Sequence, residues 1–161
     1  MKGARVTIDR TKEVFRAIKT LEANEVLIGI PAEKSPRKDD AKIGNAQIGY
    51  QNEFGSAALN IPPRPFLIPG VKEAEPECLK RLRAAAIETL TNPKRATRGL
   101  DEAGLLAVSK VKAKIKALGN YPSDSPTVRA RKAKGFKGTA ILRVTGSLLN
   151  SITYVIRKRT A

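Results

Sequence analysis

The 161-residue sequence contains no histidine and no tryptophan, and it has one cysteine and one methionine. Without histidine, an imidazole acid or base and a zinc site of the usual Cys/His kind are both excluded. Cys78 has no partner for an intramolecular disulfide, so a buried, unreactive thiol is expected there. Aromatic residues are only 4% of the chain, and a core drawn from its 41% hydrophobic residues must be packed with Ile, Leu, Val and Ala. No apolar run approaches the roughly 18 to 20 residues that cross a bilayer, and the N-terminus lacks the apolar stretch and small-residue site of a secretory signal. The expectation is a single domain spanning 1–161, made and kept in the cytosol, with no membrane contact.

Catalytic vocabulary is also missing. There is no phosphate-binding glycine-rich loop of the Walker kind, no serine in a nucleophile-elbow context, and no close set of carboxylates of the sort that holds metal in nucleases. Glu53 stands as a lone acid, and one carboxylate without a partner is not a mechanism. The chain is expected to be neither an enzyme nor a cofactor or metal binder.

Negative charge is scarce. The chain has 31 Lys plus Arg against 15 Asp plus Glu, a formal net charge of +16, which calls for polyanionic neighbours or for solvation. No acidic residue follows Asp124, whereas Arg129, Arg131, Lys132, Lys134, Lys137, Arg143, Arg157, Lys158 and Arg159 are basic. Only Phe136 lies among the basic residues of 129–137, so base stacking would be thin and nucleic-acid binding there would be to the backbone. That stretch reads either as a solvated loop or as a contact to nucleic acid or to an acidic protein surface.

What is present reads as alternating helices and short strands. Val14, Phe15, Ile18 and Leu21 behind Asp9 predict an amphipathic helix over 10–22, and the short apolar run 25–30, stopped by Pro31, predicts a strand. Residues 31–40 predict a solvated loop. Asp40 is placed to cap a helix in which Ile43, Gln47, Tyr50 and Phe54 share a face, ended by Gly55 as a left-handed cap. Pro62, Pro63, Pro65 and Pro69 predict a stiff extended arm over about 56–70. Leu79, Leu82, Ala86 and Leu90 mark a helix up to Asn92-Pro93, and Leu105, Val108, Val111, Ile115 and Leu118 mark another from about Ala96 to Leu118. The alternation of lysines with apolar residues over 110–117 fits a strand as well, but the three-four spacing upstream favours helix. A flexible basic loop is expected over about 120–139, then a closing strand containing Ile152, Tyr154 and Ile156. The fold class predicted is α+β: a small, mostly antiparallel sheet packed on long helices, with a proline-rich arm and a basic loop.

Two segments carry a resemblance. The first is Asn52-Glu53-Phe54-Gly55 followed by Ile61-Pro62-Pro63-Arg64-Pro65-Phe66-Leu67. The second is Leu142-Arg143-Val144-Thr145-Gly146-Ser147-Leu148-Leu149-Asn150-Ser151-Ile152. In this order, separated by a long helical region, they resemble the phage virion-morphogenesis family, which includes tail-completion and minor tail proteins. Asn52 stands where that family often has His before Glu-Phe-Gly, and Pro63 stands where Ala is usual.

The resemblance implies a structural virion protein of the neck at the head-tail junction, assembled in the host cytoplasm. It would act as one copy in a homo-oligomeric ring, often of six, between head-tail connector, tail-terminator and tail-tube proteins, with genome DNA passing through. It does not separate tail completion from the tail-terminator role. A host-type nucleic-acid-binding protein remains the rival reading of the charge.

Physically, Glu53, Phe54, Arg64, Pro65, Phe66 and Leu67 are candidates for a subunit contact, because a proline-stiffened arm loses little entropy on docking. The same arm fits packing on its own core equally well. Arg64 is suited to a forked bond to Glu53 or to a neighbour's acid. Gly55, Thr145 and Gly146 read as turn residues, the latter two starting a short helix. Six copies at +16 would carry +96, whereas a ring about 40 Å tall encloses only about 24 duplex phosphate charges. Most of the basic surface, including Arg129 to Lys137, is therefore expected to meet acidic faces of neighbouring proteins, with a minority facing the channel.

Overall fold

The protein was analysed as a computed structural model that describes residues 9–36, 43–121, 125–143 and 145–159. The first amphipathic stretch forms α1 (Thr11–Ala23). Arg10 occupies the cap position, and the Asp9 carboxylate accepts a hydrogen bond from the Thr11 amide at 2.9 Å. Strand β1 (Asn24–Gly29) follows directly. In the charged stretch after it, a single 3-10 turn forms at Ala32–Lys34. The carbonyl of Ser35 accepts from the Asn45 amide at 2.7 Å and hooks that turn to the next helix, α2 (Asn45–Phe54). Gly44 is the residue before α2; Asp40, expected as its cap, lies outside the described residues.

Two 23-residue helices dominate the chain, α3 (Leu67–Thr89) and α4 (Arg95–Ala117). They pack antiparallel through small residues: Gly70 lies against Val111, and Gly99 against Ala85. A Cβ on Gly70 would come within 2.7 Å of the Val111 backbone, so the close crossing needs glycine there. The turn between them is tied by Arg95, which pairs with Glu88 and with Glu102, the latter at 2.8 Å. These bonds hold the Glu102 carboxylate below its ordinary pKa and the Arg95 guanidinium above its own.

Helix α5 (Pro126–Ala133) and the short α6 (Ser147–Ser151) lead to strand β2 (Thr153–Lys158). The strands β1 and β2 form a two-stranded antiparallel sheet, pairing Val26 with Ile156, Ile28 with Tyr154 and Glu25 with Arg157. Glu25 and Arg157 also form a cross-strand ion pair at 2.8 Å. Tyr154 lies on the bare backbone of Gly104, and its hydroxyl donates to Asp101 at 3.0 Å. Burial and the Asp101 carboxylate raise that phenol above its ordinary pKa. Phe66, Val108, Val111, Ile115, Leu148 and Ile152 form the core where α4, α6 and the start of α3 meet. The chain is α+β, a small antiparallel sheet packed against long helices.

The structure departs from the sequence reading at several elements. The extended arm ends at Phe66, because Pro69 sits in the first turn of α3, where an amide would have no partner in the helix anyway. The apolar face expected for α2 points outward: Tyr50 and Phe54 are exposed, while Asn45, Gly49, Asn52 and Glu53 are buried. The stripe expected to seat α3 is displaced, since Ala74, Ala85 and Thr89 are the buried residues while Leu79 and Leu90 are exposed. Likewise Leu105 on α4 is exposed, leaving Val108, Val111 and Ile115 inside.

A further departure is in the basic loop. Its middle is helical, because the Ser125 hydroxyl accepts from the Val128 amide at 3.3 Å and Pro126 fixes the first turn. Buried Val128 anchors α5, and the segment is closed at its base by hydrogen bonds between 119–121 and 139–141.

Candidate functional site

The first motif segment is built around Glu53, which reaches from the last turn of α2 to the start of α3. Its Oε2 accepts from the amides of Phe66 (2.7 Å) and Leu67 (2.8 Å), and its Oε1 accepts from Ile68 (2.9 Å). A helix start leaves four amides without intrahelical partners. In α3 three of those positions bond Glu53, and the fourth is Pro69, which has no amide hydrogen. The negative carboxylate also lies at the positive end of the helix dipole. Glu53 is thus a buried buckle, and its partners are backbone amides rather than the Arg64 side chain.

The buckle shapes its surroundings. Gly55 turns the chain at φ +77 with ψ 176, a positive-φ extended conformation rather than the left-handed helical cap expected. Ser56 then pairs with Ile61, and the Arg64 amide donates to the Asn52 carbonyl at 2.6 Å. Pro65 is exposed and Leu67 half-buried. Phe66, only 2% exposed, is a core residue.

The second motif segment packs onto the first. Gly146, at φ +73, sits at the cap of α6, and the Thr145 hydroxyl accepts from the Ser147 amide at 3.3 Å. Ser147 and Asn45 join α6 to α2 by a side-chain hydrogen bond of 3.0 Å. Gly49 admits Ile30, Leu148 and Phe66 to the backbone of α2. The two segments, about 80 residues apart, form one structural unit with Leu148, Ile152 and Phe66 at its centre.

Compared with known proteins, the chain matches no family model, no curated sequence and no solved structure.

Three surface features stand out. Tyr50 and Phe54 stack as a tilted pair with ring centres 4.8 Å apart, 66% and 57% exposed, on the outer face of α2. They form an apolar ridge beside exposed Ile68. A second feature is an apolar cleft of about 610 Å³ between β1 and α3, walled by Leu21, Val26, Ile28, Leu79, Leu82 and Ala86. Cys78 lies in this cleft, half-buried, with its thiol donating to the Ala103 carbonyl at 3.4 Å; burial pushes its pKa up. Among the described residues no group of His, Cys, Asp or Glu is arranged to hold a metal.

The third feature joins residues that the sequence reading kept apart. Arg64 and Arg131 both lie against the Tyr121 ring, at 5.3 and 4.9 Å from its centre. They line one recess of about 330 Å³ with Thr145 and Ser147. Arg131 is half-buried, whereas Arg129, Lys132, Lys134 and Lys137 are exposed and the recess does not include them. Sequence reasoning gave Tyr121 and Asn45 no role in a site, and Ser147 only its place in the second motif segment. One signal for Tyr121 was available, a tyrosine at the edge of an arginine-rich stretch.

Proposed function

We propose that this chain is a structural protein of a phage neck, completing the tail and joining it to the DNA-filled head as one copy in an oligomeric ring. The observation that carries the reading is that the two segments resembling the virion-morphogenesis family are one packed unit, from which Tyr50 and Phe54 project outward. Burying a ring edge in its own core is the default for such residues, and a preorganised aromatic pair left outside suits protein contact. A closed head-to-tail ring needs two different, complementary patches on every copy. The aromatic ridge and the 610 Å³ cleft share no residue and supply two such patches.

The exposed basic residues Arg129, Lys132, Lys134 and Lys137 fit contacts with acidic neighbours or with DNA backbone, and they offer no base-stacking surface beyond Phe136. Native mass spectrometry of the purified protein, with salt and with a short duplex titrated in, tests the proposal. A closed ring, or a monomer that becomes a ring with tail components, supports it, and Tyr50→Ser with Phe54→Ser should abolish the ring while leaving the monomer folded. A monomer that binds duplex tightly and salt-sensitively and never assembles would replace it with the nucleic-acid-binding reading.

A further inference from the structure

We infer that the recess formed by Arg64, Arg131 and Tyr121 is a carboxylate-binding site that receives an acidic segment of a partner protein. The inference does not rest on the ring reading. Two guanidiniums against one ring are drawn there by its negative face, but they also repel each other. Neither has a carboxylate partner among the described residues: Arg131 donates from Nη1 to the Ala140 carbonyl at 2.9 Å, and the Arg64 side chain makes only its contact with the ring. Most of the forked donor capacity of both residues is therefore unspent, and both residues line the recess. A carboxylate answers that geometry, since each of its oxygens can accept from a guanidinium edge.

The shape of the site selects the kind of acid. Ile48, Ile61, Leu142 and Leu148 give the recess apolar walls behind the two cations. Such walls accept the methylenes of a glutamate side chain and the backbone beside it, and at about 330 Å³ the volume suits a few residues of peptide. Duplex DNA presents its phosphates on a rigid convex surface, which the exposed side chains of Arg129, Lys132 and Lys134 would meet more readily than this concavity. Arg64 comes from the proline segment before α3 and Arg131 from α5. An acidic segment seated between them would therefore bridge the two parts.

The test uses the full chain and a blocked peptide of alternating glutamate and glycine, with a short duplex and inorganic phosphate as the other arms. The chain has three tyrosines and no tryptophan, so a change in intrinsic tyrosine fluorescence is read without tryptophan background, and its loss in Tyr121→Phe assigns it to Tyr121. Saturable binding of the peptide is expected, weakened at least tenfold by Arg64→Ala and by Arg131→Ala and less than twofold by Arg129→Ala. Arg131→Lys, which keeps the charge and loses the fork, should also weaken it, and guards against a folding defect in the alanine variant. The inference is overturned if the peptide does not bind, if Arg129→Ala weakens binding as much as Arg64→Ala, or if duplex or phosphate binds more tightly than the peptide and depends on both Arg64 and Arg131.

Discussion

Replacing Glu53 should damage this fold more than any other single change of a polar side chain. Glu53→Gln preserves size and one carbonyl oxygen but turns the second oxygen into an amide donor that faces the α3 amides. Of the three bonds, at 2.7, 2.8 and 2.9 Å, at least one is lost and the others lose their charge assistance. Hydrogen bonds to a charged group contribute about 1.5–3 kcal/mol each, and a buried donor left without a partner costs about 1–3 kcal/mol. Glu53→Gln should therefore cost about 2–4 kcal/mol, and Glu53→Ala, which strands all three amides, about 3–5 kcal/mol. Total stabilities of about 5–15 kcal/mol make either a large fraction.

Urea denaturation followed by circular dichroism measures the loss. With a slope of about 2 kcal/mol per molar, the glutamine variant should lower the midpoint by about 1–2 M. Glu53→Asp, one methylene shorter, should behave more like glutamine than like wild type because it cannot reach all three amides. A shift below about 0.3 M for Glu53→Gln, with unchanged slope, would refute the buckle as a source of stability.

Other substitutions test separate contacts. Gly70→Ala places a Cβ 2.7 Å from the Val111 backbone; overpacking should cost about 1–3 kcal/mol, partly offset by about 1 kcal/mol of helix propensity, and is read by the same urea titration. Tyr154 has its folded-state pKa raised above the ordinary value of 10.0. Its contribution is therefore complete below pH 10.0 and lost as pH rises through the folded value, so stability should fall on the alkaline side, and Tyr154→Phe should flatten that fall in midpoints measured across the range.

Legibility followed the location of each element's partners. In α4 the buried residues Val108, Val111 and Ile115 recur at helical spacing, so position and inward face could both be read. In α2 the inward face is Asn45, Gly49, Asn52 and Glu53, whose bonds go to Ser147, to its own turn at Ile48, and to the amides of 66–68. Hydrophobic periodicity says nothing about bonds of that kind, and it pointed to Tyr50 and Phe54 instead. Helix α5 was hidden by charge: Ser125-Pro126 is a start signal, but Val128 is the one buried residue behind it. The meeting of Arg64 with Arg131 depends on the 119–121 and 139–141 ribbon, which no local pattern announces.

The pairing of β1 with β2 also has a temporal side. Glu25 and Arg157 meet across 132 positions of chain, so closing the sheet carries a loop entropy on the order of 4 kcal/mol, whereas the α3–α4 hairpin closes through a turn of a few residues. Local contacts form fast and distant ones slowly, which makes the sheet the late event and the hairpin the early one. Because β1 supplies one wall of the apolar cleft, the pairing that fixes β1 also fixes that wall. The cleft wall is thus among the last parts of the surface to take shape, whereas the recess around Tyr121, which takes no residue from either strand, is not tied to that step.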